Sequence, residues 1–265
     1  MYTSFQLAKK YLHYYFTASS GKGHGVHSPF VFDFIKNVLT DKTNYHCYAP
    51  IEQQRQQLLK KNEAIVIEDF GAGSAMMKTN TRTIKNIAAS SLKPKKFAQL
   101  LFRLVRYYQP ATILELGTSL GITTCYLAEG NKNAKIYTCE GSASIAALAL
   151  QNFAALQIKN VELTTGDFAH TLQPLLNKTP KADFVFIDGN HRKEPTIEYF
   201  NTILHASTPA TILVFDDIHW SKEMEAAWAN IQQHPAVTLT IDLFFIGIVL
   251  IDPAFKEKQH FTIRF

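Results

Sequence analysis

The chain has 265 residues, 46% of them hydrophobic and 12% aromatic, which is enough to bury a large core as one domain or a domain with a cap and excludes intrinsic disorder. Its three cysteines, Cys47, Cys125 and Cys139, are scattered without a C-x-x-C pair, and no run of 18 apolar residues occurs. These features argue against a structural zinc site and a membrane span, and with no signal peptide they fit a reducing, cytoplasmic setting.

The formal net charge of +5 is unevenly spread. Residues 71–113 contain no acid, while Lys78, Arg82, Lys85, Lys93, Lys95, Lys96, Arg103 and Arg106 are all basic. With no nucleic-acid motif and few interleaved aromatics, the segment reads as a solvated basic flank, and nucleic acid is the disfavoured partner.

In chain order, residues 1–90 read as an N-terminal helical cap with a mobile loop, and residues 91–265 as the main domain. A first helix is expected over 4–17, whose many aromatics favour packing as a capping helix over lying on a membrane. A glycine and histidine turn over 21–27 follows. His24 and His27 read as structural there, although contact with a substrate is the alternative. Ser28-Pro29 then marks a helix start, with the hydroxyl capping and proline at the first helical position.

From about residue 110, β-rich runs alternate with helical stretches. Strands are expected over 111–116, 135–140, 161–165, 183–188 and 211–216, with helices over 123–129, 144–156, 169–176, 195–205 and 221–233. Such alternation builds a parallel sheet with helices on both faces. The runs 237–244 and 246–252 leave almost no residues between them, so they must form an antiparallel hairpin, and 260–265 reads as one more strand. The expected fold is α/β: a doubly wound, mostly parallel, seven-stranded, Rossmann-like sheet ending in an antiparallel hairpin.

An acid stands at the end of each apolar run: Glu115, Glu140, Asp167, Asp188 and the pair Asp216-Asp217. A doubly wound sheet sets strand ends along one edge, so these acids are expected to converge on one crevice. After Glu115 comes a turn, Gly117-Thr118-Ser119-Leu120-Gly121, that opens a helix. Gly117 allows a sharp turn beneath a ligand and Gly121 allows close approach. The dinucleotide fingerprint is absent, since Ser119 stands where its second glycine would be. A second glycine loop over residues 68–74 looks closer to a nucleoside-binding loop, but no acid follows for more than forty residues to receive a ribose, so it reads as a decoy and as a mobile loop. After Gly121, by contrast, Glu140-Gly141 ends the next strand, where the carboxylate can accept from ribose hydroxyls. Asp167-Phe168 ends the third, suited to an adenine amino group and ring. Glu115 is left for an amino acid end, which completes a layout for S-adenosylmethionine.

Here the chain resembles a known family. It looks like a class I S-adenosylmethionine-dependent methyltransferase, and Glu-Leu-Gly-Thr-Ser-Leu-Gly-Ile-Thr-Thr is similar to the first motif of the cation-dependent O-methyltransferases of catechol, caffeoyl-CoA and macrolide-sugar type. The resemblance covers about residues 90–252. A parallel sheet closed by an antiparallel hairpin is the pattern it implies.

If the strands ending at Asp188 and Asp216-Asp217 are neighbours, three carboxylates crowd one volume, which a divalent cation resolves. Oxygen ligands favour magnesium, manganese or calcium over zinc, and magnesium is expected. The family places metal ligands at the positions of Asp188, Asp216 and Asp217; Asp217 departs from the asparagine usual in the plant and animal enzymes. Asp188 also counts among the cofactor residues. His191 stands where catechol-type enzymes carry a catalytic lysine and is the expected general base, and His219 is a candidate for supporting a ligand.

The sequence thus points to methyl transfer to a hydroxyl of a small molecule, with a homo-oligomer as one option. A metal-independent or RNA-directed methyltransferase, a nicotinamide-dependent oxidoreductase and a non-catalytic nucleoside-binding protein are the rival readings.

Overall fold

Thr112–Leu116, Ala182–Ile187 and Ile246–Leu250 are almost wholly buried, as strands covered on both faces must be. In the computed structural model of the chain, which describes residues 1–23, 27–67 and 81–265, these runs belong to an eight-stranded central sheet. The chain divides into two compact units, residues 1–42 with 181–265 and residues 43–180.

The first unit begins with α1 (Ser4–Thr17) and α2 (Pro29–Phe34), which runs into a π turn over Ile35–Leu39. Thr3 caps α1 by accepting from the Gln6 amide, and Gln6 reciprocates. Pro29 opens α2 as expected, but the buried Ser28 hydroxyl makes no cap bond. The Ser28 carbonyl instead accepts from the Phe32 amide at 2.9 Å.

The second unit runs α3 (Tyr48–Leu58), β1 (Ala64–Val66), β2 (Thr81–Thr83), α4 (Ile84–Ser91), α5 (Lys95–Tyr108), β3 (Thr112–Leu116), α6 (Ile122–Gly130), β4 (Lys135–Glu140), α7 (Ala143–Ala155), β5 (Val161–Thr165) and α8 (Phe168–Lys178). β3, β4 and β5 pair in parallel, and β1 with β2 forms a separate antiparallel pair that the sequence did not suggest. Tyr48, Phe102, Tyr126, Leu120, Ile122 and Phe153 anchor the core of this unit. The first ninety residues are therefore shared: α1 and α2 belong to one unit, α3 and α4 to the other. The glycine loop over 68–74, Lys78 and His24 lie outside the described residues.

The chain returns to the first unit with β6 (Ala182–Ile187), α9 (Lys193–Leu204), β7 (Ser207–Asp216), α10 (Lys222–Gln233), β8 (Leu239–Asp242), β9 (Ile246–Leu250) and β10 (Gln259–Thr262). β6 and β7 are parallel, β9 is antiparallel to β7 and β8, and β10 lies parallel to β8. The hairpin appears as expected. β10 is the further strand expected over 260–265, and by pairing in parallel with β8 at the sheet edge it brings the seven strands to eight. In the tight β8–β9 turn Phe244 takes φ 71°, unusual for a bulky residue, and is held there by its amide, which donates to Asp242 Oδ1 at 2.8 Å, and by packing against Tyr11 and Tyr14. The three cysteines are free and buried, and burial pushes the Cys47 and Cys139 thiols up to about 11, so they are inert at neutral pH.

Candidate functional site

The turn after β3 is held by main chain and is shaped for a ligand. Gly117 has φ 103°, and the amides of Gly117 and Thr118 both donate to the Cys139 carbonyl at 3.0 Å, which ties the turn to the end of β4. Gly121 begins α6 at φ 75°, and a β-carbon there would stand 2.5 Å from the Phe153 ring, so this glycine is what lets α6 approach α7. Ser119, at φ 48°, donates its amide to Glu140 Oε2 at 2.8 Å. Its hydroxyl lies 2.8 Å from that of Ser91, at the end of α4.

Glu140 ends β4 and takes a second amide, that of Ser142, on Oε1 at 3.0 Å. Gly141 lies between them, half-buried. A carboxylate oxygen accepts more than one hydrogen bond, so this grip on the two loops leaves Glu140 suited to hydroxyl donors. Asp167 caps α8 by accepting from the Ala169 amide at 3.1 Å, with Phe168 half-buried beside it.

Glu115 differs from the other acids because its carboxylate is fully buried. Oε2 accepts from the Thr124 hydroxyl at 2.6 Å and from the Thr138 hydroxyl at 2.7 Å, and Thr138 also contacts the Thr118 hydroxyl at 2.6 Å. Oε1 is buried without a hydrogen-bond partner. Burial pushes the carboxyl up to about 7 despite the two hydroxyl donors. In this position Glu115 braces the turn from beneath. Thr124 and Thr138 were not singled out from the sequence, since hydroxyls 9 and 23 positions away carry no local signal.

In the first unit, β6 and β7 are parallel neighbours in register, Ile187 beside Phe215, so the residues that follow them are set side by side. Asp188, His191 and Asp216 each offer a ligand atom within 4.8 Å of the others. His191 Nε2 lies 3.6 Å from Asp188 Oδ1, an ion-pair distance rather than a hydrogen bond. Asp216 is almost fully buried and Asp188 and His191 are half-buried. Asp217 does not belong to this group; it adopts φ 53°, and its carbonyl accepts from the Trp220 amide at 2.9 Å. Two carboxylates and an imidazole at this separation are a donor set that suits a divalent cation.

Trp220, which the sequence reading passed over, packs edge to face on His191 with ring centroids 5.6 Å apart. Its only sequence signal was its place three residues after Asp217. His219 is engaged elsewhere: Nε2 meets Asp242 at 2.7 Å and Nδ1 meets Glu225 at 3.1 Å. Burial alone would lower its pKa, but these carboxylates hold it above the ordinary value. Glu225 also receives Tyr2 at 2.6 Å and Lys10 at 2.9 Å, so His219 belongs to the network that fastens α1. His27 is exposed.

Residues 114–218 match a family described as a methyltransferase domain, a span that contains every site residue named above from Glu115 to Asp217. The chain is 34% identical over 145 residues to a catechol O-methyltransferase of Niastella koreensis, a match covering 53% of this chain and 63% of that protein, a little under two thirds of the relative's length. Among solved structures, the fold is similar to an O-methyltransferase from Bacillus cereus in complex with SAH, at 23% identity and TM-score 0.56 over 83% of this chain and 97% of that one. It is also similar to the SAH-bound methyltransferase PaMTH1 of Podospora anserina, at 13% identity and TM-score 0.59 over 95% and 97% of the two chains. No helix among the described residues is long and apolar enough to cross a membrane. Residues 114–218 are thus similar to a methyltransferase domain, and the fold around them is one that solved methyltransferases share.

Proposed function

We propose that the chain transfers a methyl group from S-adenosylmethionine to a hydroxyl of a small molecule, assisted by a divalent cation. The observation that carries this reading is the grouping of Asp188, His191 and Asp216 within 4.8 Å at the ends of two neighbouring strands. A class I methyltransferase acting on a softer or already anionic acceptor needs no such group.

In this reading Glu140 receives the ribose hydroxyls and Asp167 the adenine amino group, with Phe168 against the base. Gly117, Thr118, Ser119 and Gly121 form the turn under the amino acid end, and Glu115 braces that turn through Thr124 and Thr138. Asp188 and Asp216 would hold the cation, which would supply the positive charge that makes a hydroxyl more acidic, while Asp217, expected from the sequence as a third ligand, lies outside the group. His191 accepts the hydroxyl proton, the oxygen forms its bond to the methyl carbon as the sulfonium bond breaks, and S-adenosylhomocysteine leaves neutral at sulfur. Rate comes mainly from holding oxygen, methyl and sulfur in line. The catechol O-methyltransferase relative supports an aromatic diol as the first acceptor to try.

The distances support a second reading of one residue, in which His191 Nε2 is itself a cation ligand. A nitrogen donor would move the preference toward manganese and later first-row ions.

Calorimetric titration with S-adenosylmethionine, with and without magnesium or manganese, tests the proposal, followed by methyl transfer to a catechol. Cofactor binding together with chelator-sensitive transfer is the expected result. Absence of cofactor heat in every condition would overturn the assignment, and transfer indifferent to chelator would remove the cation.

A further inference from the structure

α1 presents two apolar faces and buries one of them, while on the other Tyr15 is covered in part, by the Arg264 guanidinium 4.5 Å over its ring. Leu7, Tyr11, Tyr14 and Ala18 pack with Phe244 and Phe245, and Tyr2 and Lys10 fasten the helix through Glu225. On another side Phe5 is 80% exposed, Phe16 77%, Leu12 55% and Tyr15 42%, with Ala8 exposed between them. At ~100° per residue these five fall within an arc of about 100°. Their spacing of three and four residues is that of a helix-to-helix seam.

The size of this stripe fits a protein interface. The three rings alone expose roughly 400 Å², taking about 200 Å² for each aromatic side chain. A standard interface takes about 800 Å² from each partner, of which roughly 450 Å² is apolar. Leu12 and Met1 supply the remainder. A lipid surface fits less well. Anchoring a short amphipathic helix on anionic lipid takes a cluster of basic residues, and α1 carries only Lys9 and Lys10, the second of which is paired with Glu225 at 2.9 Å.

We propose that two copies of this chain associate through α1, antiparallel about a two-fold axis near residues 10 and 11. The stripe is self-complementary in that register. Phe5 meets Phe16 of the partner subunit, and Ala8 makes room for Leu12 of the partner subunit, the large-against-small alternation that lets helices approach closely.

Sedimentation equilibrium of the full chain at micromolar concentration, without cofactor or acceptor, gives a readout independent of methyl transfer. Twice the chain mass is expected. Phe5→Glu combined with Phe16→Glu should restore the single-chain mass with an unchanged circular dichroism spectrum, because both positions are exposed. Phe32→Glu, at a half-exposed aromatic outside α1, should leave the dimer intact. Since the native cysteines are buried, a short bis-maleimide should link subunits carrying both Phe5→Cys and Phe16→Cys and fail with Phe5→Cys alone. A monomeric wild type, a dimer that survives the double glutamate variant, or a monomer that floats with phosphatidylglycerol vesicles through the same residues would each overturn the proposal.

Discussion

The amide of Ser119 donates to Oε2 of Glu140 at 2.8 Å across 21 positions of sequence, so the glycine turn and the acid that ends β4 form one piece. The Ser142 amide on Oε1 makes that piece a bridge between two loops. Glu140→Gln replaces one accepting oxygen with a donor that faces an amide proton and also withdraws the charge. A hydrogen bond to a charged group contributes about 1.5–3 kcal/mol. S-adenosylmethionine affinity should therefore fall by roughly 10- to 100-fold in calorimetry. An unchanged dissociation constant would take Glu140 out of the cofactor site.

Gly121→Ala should weaken folding and cofactor binding together. The residue sits at φ 75°, and the new methyl would stand 2.5 Å from Phe153 Cε1 and 3.2 Å from the Ala149 β-carbon. Left-handed backbone costs an L-residue about 1–2 kcal/mol, and overpacking typically adds about 1–3 kcal/mol. Phe153→Leu in the same chain should recover part of the stability by yielding space, without repairing the backbone term. Urea unfolding of the single and double variants measures both, and full recovery in the double would show that backbone conformation contributes nothing.

The sheet was legible because parallel strands buried on both faces leave near-continuous apolar runs, such as Phe184-Val185-Phe186-Ile187, each punctuated by an acid. What stayed hidden depended on distant partners. β1 and β2 are three residues each and carry no periodicity. His219 sat two residues from Asp217 and read as its helper, yet the carboxylates that claim it, Glu225 and Asp242, lie on α10 and β8. Ser28 has the right type and place for a cap, and only packing decides where its hydroxyl points. For the metal group, the sequence identified the strand ends, but only the side-chain geometry distinguishes Asp188, His191 and Asp216 from a set that includes Asp217.

Glu115 should make stability depend on pH in a direction opposite to that of a salt-bridged acid. Burial raises its carboxyl from the ordinary 4.5 to about 7, so the folded chain binds more protons than the unfolded chain between those values. Its contribution is fully present below pH 4.5 and is lost as pH rises through about 7, a change on the order of 3 kcal/mol. Chemical denaturation of wild type and Glu115→Gln from pH 4.5 to 8 isolates this contribution, because the amide does not titrate. The difference between the two free energies should change between pH 4.5 and about 7 and level off above it. A constant difference would mean that Glu115 is ionised throughout, with Oε1 satisfied by water.

His191→Ala separates the two roles open to that imidazole. As a proton acceptor, His191 contributes to the rate and not to cation affinity, and general-base catalysis contributes about 10²- to 10⁴-fold. The variant should then bind manganese as the wild type does while turning over at least a hundredfold more slowly. As a ligand, its loss should weaken manganese binding as well, leaving only the two carboxylates of the group. His191→Gln retains polarity without a basic nitrogen and should follow the alanine variant in rate under the first role. Electron paramagnetic resonance of bound manganese reads affinity independently of turnover. Asp216→Asn provides the reference, since a nearly buried carboxylate in the group should lower cation affinity under either role. If Asp216→Asn and His191→Ala both left manganese binding unchanged, the cation would have to be held elsewhere, and His191, 3.6 Å from Asp188 and packed on Trp220, would act as a base oriented by the protein without a cation.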